Sequence, residues 1–168
     1  MHQSDVERLF KEHARAVHAA VYSVTLDRDA AEDAVQEAFV RLLRTPPGDQ
    51  SNLPAWLKRV AVNHAIDVLR RKGRIKPLGE TEPEQPPQAD PITDINPKLT
   101  AALQRISPDQ RAAVLAVDRD GMAYADAAAL LGSQLSKLKS DLCRGRRALL
   151  ELLKGAVEPG LPTPARQS

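Results

Sequence analysis

PAWLKRVAVNHAIDVLRRKGRIK, residues 54–76, reads as one amphipathic helix that ends in a burst of positive charge. Leu57, Val60, Ala61, Ala65, Val68 and Leu69 recur at helical spacing and make a broad apolar face. Trp56, Arg59, Asn63, Asp67 and Arg70 fall on the opposite stripe. Arg70, Arg71, Lys72, Arg74 and Lys76 then put five cations into seven residues. One face is suited to packing. The other carries an aromatic ring, an amide and guanidinium groups, the side chains that contact bases and phosphates. A core helix with a solvated basic end fits the same pattern, and the neighbouring segments decide between the two.

Upstream, Ser4 and Glu7 have the spacing of a capping box, and Val6, Leu9, Phe10, Val17, Val21 and Val24 keep a helical period to about Thr25. Asp29 and Glu32 suit a second helix start, with Ala31, Val35, Ala38, Phe39, Leu42 and Leu43 inward. Asp33, Gln36, Glu37, Arg41 and Arg44 then face out, as a solvated face or a protein-docking stripe. Thr45 to Leu53 is a turn-rich loop, and Pro54 fits the first turn of the following helix, where its missing N–H costs nothing. The first block, residues 1–76, therefore holds three helices.

Residues 77–97 contain six prolines, five acids and no base, and read as an extended, disordered linker that can span about 70 Å at full stretch. A second helical block covers 98–154. Leu99, Ala102, Leu103 and Ile106 open it. Ser107-Pro108-Asp109-Gln110 is a strong helix start, and that helix is expected to reach Arg119 before Asp120-Gly121 stops it. A short Ala-rich helix to Leu131 ends at Gly132. A long last helix buries Leu138, Leu142, Gly145, Leu149 and Leu152. Met122 to Arg147 has helix-turn-helix proportions, with Lys137, Ser140, Arg144 and Arg147 on the outer stripe; many helical hairpins share that pattern. Residues 155–168 read as a disordered tail. The expected class is all-α, two small helical domains and a flexible linker.

Composition agrees. The chain is 42% apolar but only 3% aromatic, so its core must be Ala, Leu and Val in closely packed helices. The net charge of +2 hides an uneven distribution. Residues 1–76 carry thirteen Lys/Arg against ten Asp/Glu, and 98–154 carry ten against six. Two basic blocks flank an acidic spacer, which suits a polyanionic partner. Cys143 is the only cysteine, so no intramolecular disulfide and no Cys-based metal site is expected. No membrane span, signal peptide, metal-ligand spacing, Gly-rich phosphate loop or nucleophile motif is present. The expectation is a soluble cytoplasmic protein, not an enzyme, with no cofactor.

Taken in order, DAAEDAVQEAFVRLL (29–43), PAWLKRVAVNHAIDVLRRKGR (54–74), ISPDQRAAVLAVDRDGMAYADAAALLG (106–132) and LKSDLCRGRRAL (138–149) resemble the bacterial sigma-70 family, specifically its extracytoplasmic-function (ECF) group. The resemblance covers about residues 5–153. It implies regions 2 and 4 joined by a linker. It further implies an alternative sigma factor that binds core RNA polymerase through the β′ clamp helices and the β flap, engages promoter DNA, and answers to an anti-sigma factor. On that resemblance Asp33, Gln36, Glu37 and Arg41 dock on polymerase. Trp56, Arg59, Asn63, Arg70, Arg71 and Arg74 serve the −10 element, where a pocket and backbone cations offset the cost of extracting a base. Lys137, Lys139, Ser140, Arg144 and Arg147 serve the −35 element.

The second block departs from the family pattern. Gln134 stands where a capping Ser is usual, Leu135 replaces a polar residue, Asp141 replaces an Arg and Gly145 replaces an Ala. Asp141 beside phosphates exchanges attraction for repulsion, and Gly145 costs about 1 kcal/mol of helix propensity. These departures support a second reading, a sigma-like interaction protein with impaired −35 recognition. A plain helix-turn-helix repressor would leave the docking stripe and the acidic linker unexplained.

Overall fold

Seven α-helices and no strand make up the described part of the chain, residues 2–75 and 96–155 of a computed structural model. The first three are α1 (Gln3–Thr25), α2 (Arg28–Arg44) and α3 (Leu53–Ile75). Their seams are filled by Val17, Val21, Ala34, Ala38, Leu42, Leu57 and Ala61, all essentially buried. Each Leu-sized side chain so removed from water contributes roughly 1.5–3 kcal/mol. Phe10 and Phe39 meet edge to face with ring centroids 5.0 Å apart and close the α1–α2 seam.

Two helix starts differ from the sequence expectation. The Ser4–Glu7 capping box is not used: α1 begins at Gln3 after His2, which makes no side-chain cap and accepts the Asp5 N–H on its carbonyl at 3.0 Å. The cap of α2 is Asp27 rather than Asp29; its Oδ1 accepts from the Ala30 N–H at 2.9 Å. Leu26 takes the left-handed conformation at φ 54° to end α1, so chain direction reverses within two residues and the cap must follow at once. Pro54 lies in the first turn of α3, as expected.

The second unit holds α4 (Pro97–Arg105), α5 (Pro108–Val114), α6 (Tyr124–Leu131) and α7 (Leu135–Gly155). It starts a residue earlier than expected, because Asn96 caps α4 by accepting from the Lys98 N–H at 2.9 Å and Pro97 fills the first helical position. Ser107 caps α5 as its motif predicts, accepting from Gln110 at 3.2 Å. That helix does not run on as α to Arg119. Residues Leu115–Arg119 widen into a π-helical turn, closed by the Asp120 N–H on the Leu115 carbonyl at 3.0 Å. Gly132 ends α6 at φ 62°, the left-handed cap that its position calls for. The linker and the tail lie outside the described residues. Among the described residues, no helix is long and apolar enough to cross a membrane, and no cluster of His, Cys, Asp and Glu could hold a metal ion.

The two units pack on each other. α5 and the π-helical turn lie against α1, and α6 lies against α3. One apolar core runs through both units, and polar contacts frame it. Arg119 donates to the Ser23 carbonyl at 2.7 Å, and Ser23 Oγ donates to Asp120 at 3.3 Å. Arg111 is the buried member. Its guanidinium donates to the carbonyls of Leu103 and Thr25, each at 2.8 Å, with longer bonds to Gln104 and Ile106. One cation thus satisfies the C-terminal carbonyls of α4 and α1, where the helix dipoles are negative.

Candidate nucleic-acid interface

Helix α3 is buried over a wider arc than its apolar stripe suggests. Val62 and Ile66 are buried along with Leu57, Val60, Ala61 and Ala65, while Val68 and Leu69 are only partly covered. The reason is the second unit, which covers a side of α3 that periodicity alone assigns to solvent. A cleft of about 330 Å³ runs along this junction, with Arg41, Asn63, Asp67 and Arg70 on one wall and Leu131 and Gly132 on the other.

The candidate −10 residues therefore divide. Arg59 is exposed and forms no ion pair within the described residues. Trp56 is half-buried and packs on the core instead of standing free. Asn63 sits directly beneath Gly132. Arg70 forms a bidentate pair with Asp109 of α5, including an Nε to Oδ2 bond of 2.7 Å. Arg71 is exposed and bonded to Asp67 at 2.7 Å. Arg74 lies in the last turn of α3, and its side chain is outside the described set.

Electrostatics at Asp109 follow from this geometry. Burial pushes its carboxyl up, but the Arg70 guanidinium and the Lys137 ammonium together hold it below the usual range. Lys137, expected on the DNA-facing stripe, instead donates to Asp109 at 3.2 Å and to Asp141 at 2.7 Å. Asp141 has a side chain only 16% exposed and is tied to Lys137. Lys139, Ser140, Arg144 and Arg147 are exposed on the outer face of α7, the three cations without ion-pair partners among the described residues. Arg146, beside them, is fixed to Asp118 by two bonds of 2.9 and 2.6 Å.

The candidate docking stripe on α2 is outward, as its spacing predicts. Asp33, Gln36 and Arg41 are exposed and Glu37 is half-exposed. Arg41 and Glu37 pair at 3.7 Å, and Asp33 accepts from His64 at 3.0 Å. In the sequence, His64 suggests only a packing or capping role. Its bond to Asp33 joins α3 to the docking stripe, a contact between helices that no local motif announces.

Two family models match the chain, Sigma-70 region 2 over residues 9–75 and Sigma-70 region 4 over residues 97–149. The ECF RNA polymerase sigma factor SigM of Mycobacterium tuberculosis is 32% identical over 151 residues, covering 88% of this chain and 76% of SigM. The chain belongs to the ECF group of the sigma-70 family. SigE of Mycolicibacterium smegmatis, also an ECF sigma factor, is 33% identical over 88% of this chain, which spans 61% of SigE's length. Among solved structures, the sigma factor RpoE from Bartonella quintana, in complex with the anti-sigma factor NepR, has a TM-score of 0.56 and 29% identity. That match covers 89% of this chain and 97% of RpoE. CnrH, in complex with the cytosolic domain of CnrY, has a TM-score of 0.55 at 22% identity, covers 93% of this chain and 92% of its own, and supports the fold alone. The all-α, two-unit expectation matches these findings.

Sequence reasoning finds the helices and the exposed cations of this ECF sigma factor but misses the groups that pair some of them. Asp109 reads there only as part of a helix start. A carboxylate in the first turn of α5 is also free to meet a cation from outside its helix, and no pattern in one block names a partner in the other.

Proposed function

We propose that this chain is an alternative sigma factor that binds core RNA polymerase and directs promoter recognition and transcription initiation, without catalytic activity of its own. Residues 1–76 act as region 2, residues 98–154 as region 4, and 77–97 as the spacer between them. The observation that carries the reading is the pairing of two exposed functional faces on one scaffold: the outward Asp33–Gln36–Glu37–Arg41 stripe of α2 and the unpaired cations of α7. A docking face beside DNA-binding cations is what a promoter-specificity subunit needs.

In this reading Asp33, Gln36, Glu37 and Arg41 contact the β′ clamp helices, and region 4 meets the β flap. Trp56, Arg59, Asn63, Arg70, Arg71 and Arg74 serve the −10 strand, and Lys137, Lys139, Ser140, Arg144 and Arg147 the −35 element. Work in the cytoplasm and control by an anti-sigma factor accompany the role; the RpoE relative was solved in such a complex. The test is run-off transcription by core polymerase plus this chain on a randomised promoter library. Transcripts sharing a −10 motif support the proposal.

One observation favours a second reading, a sigma-like interaction protein that engages polymerase or an anti-sigma factor: Asn63 and Arg70 are partly covered by the second unit. Core binding without any initiation would select it.

A further inference from the structure

One ion pair, Arg70 with Asp109, crosses between the two units, and further pairs on α3, α5 and α7 flank it. On α3, Arg71 holds Asp67, and the adjacent Arg70 grips Asp109 of α5. Asp109 also receives Lys137 of α7, and Lys137 in turn holds Asp141 one helical turn along. Two carboxylates of the second unit thus occupy one cation from each of the two candidate DNA-binding helices. Resting on the sigma-factor reading above, we propose that Asp109 and Asp141 form an internal latch: they hold the free protein closed and withhold Arg70, Lys137 and Asn63 from nucleic acid until phosphates or a partner displace them.

The geometry is that of a substitute ligand. A carboxylate engages a guanidinium fork in the same two-bond manner as a phosphate, so Asp109 fills the position that a DNA phosphate would take on Arg70. The same closure sets the Gly132 turn on Asn63, so the amide is covered when the guanidinium is occupied. Asp141 adds the second hold. It restrains Lys137 beside Asp109 and lies near enough to Arg70 for its charge to favour that guanidinium across the junction, so removing it weakens the hold on both cations.

The latch is reversible because its members are only partly shielded. Lys137 is 47% exposed and Arg70 36%. Pairs of that exposure are individually weak and yield to added salt or to a denser array of phosphates. The remaining contacts between the units are of two kinds: Arg119 with Ser23 and Ser23 with Asp120 are polar and at the surface, whereas the Arg111–Thr25 bond is buried beside a shared apolar core, so the latch pairs supply the salt-sensitive part of the closure.

The test uses the full chain, free of polymerase. Dyes on Cys143 of α7 and on a Lys11→Cys substitution in α1 report the distance between the units by energy transfer; both positions are exposed. Wild type is expected to give high transfer at low salt and to lose it as sodium chloride rises. Asp109→Asn and Asp141→Asn are expected to show reduced transfer already at low salt. In unlabelled protein, short single-stranded DNA of random sequence should bind Asp109→Asn roughly tenfold more tightly, as expected when the competent state is a minor one in wild type. The salt slope of that binding should be shallower for wild type, because breaking the internal pairs takes up ions that DNA contact releases. Circular dichroism verifies folding, and Asp141→Asn decides the outcome should Asp109→Asn weaken α5. Equal transfer in wild type and both variants overturns the latch, and so does opening without tighter DNA binding. Run-off transcription with core polymerase is read in parallel. Its absence for wild type and open variants alike removes the sigma-factor reading while leaving the distance and DNA results to decide the latch.

Discussion

Gly132 rests on Asn63: a methyl group placed at Gly132 would lie 2.7 Å from Asn63 Oδ1 and 2.8 Å from Nδ2. The glycine that ends α6 is therefore required for its φ of 62°, and a side chain there would also displace the Asn63 amide where the second unit closes on α3. Gly132→Ala is expected to cost about 1–2 kcal/mol from the left-handed conformation alone. The clash adds to it. Adding Asn63→Ala should return only the clash component, which a double-mutant cycle of thermal melts can isolate.

Arg111 should tolerate no replacement. Arg111→Ala removes a charged donor from buried carbonyls of both units, with an expected loss of about 3 kcal/mol in urea unfolding. Arg111→Lys should recover little, because an ammonium lacks the planar fork that reaches Leu103 and Thr25 together. A loss below about 1 kcal/mol would mean that water replaces the guanidinium freely.

The sequence made local features legible and left relations between the blocks unread. The Ser107 cap, the Gly132 stop and the α2 stripe each depend on residues close in sequence, and each lies where its pattern puts it. Buried Val62 and Ile66, the Asp33–His64 bond and the Arg70–Asp109 pair depend on contacts between distant elements. Periodicity reports which face of a helix is apolar. It does not report that a half-polar face such as Asn63–Arg70 will be covered by another unit. Asp141 shows the consequence: charge at a helix surface suggested repulsion from DNA, while geometry gives it an internal partner.

Gly145 tests the same distinction. As a helix-interior glycine it loses about 1 kcal/mol relative to alanine, so propensity alone predicts that Gly145→Ala stabilises the protein. The structure predicts the reverse. A methyl there would lie 2.9 Å from Val114 Cγ2 and 3.2 Å from the Gln110 carbonyl oxygen, where α7 crosses α5. Valine is stiff in a helix and a carbonyl cannot swing away, so overpacking of about 1–3 kcal/mol outweighs the gain. A lower melting temperature for Gly145→Ala is expected.

The cations of α7 should separate in their effect on DNA. Arg144 and Arg147 are exposed and without ion-pair partners among the described residues, whereas Arg146 is held by Asp118. Arg144→Ala and Arg147→Ala should each weaken binding to duplex DNA and lower the salt slope by about one. Arg146→Ala should leave the slope nearly unchanged and reduce thermal stability instead. Fluorescence anisotropy across a salt series separates the two behaviours.

Acid sensitivity follows from the same pair. The hydrogen bonds from Arg146 hold the Asp118 carboxyl below its ordinary value of 3.8, against a smaller opposing effect of burial. The folded protein therefore binds this proton less readily than the unfolded chain does. A carboxylate so depressed contributes its full stabilisation above the unfolded value, and the contribution is lost as pH falls through the folded one. Asp109, lowered by Arg70 and Lys137 against burial, acts in the same direction. Stability should thus fall between about pH 5 and pH 2, and the fall should be shallower in Asp118→Asn and in Asp109→Asn than in wild type. Asp118 is more than a third exposed, so solvent screens the pair and its share is small but additive with that of Asp109. Urea midpoints measured at a series of pH values check this; identical acid slopes in wild type and both variants would show that other carboxylates govern the loss.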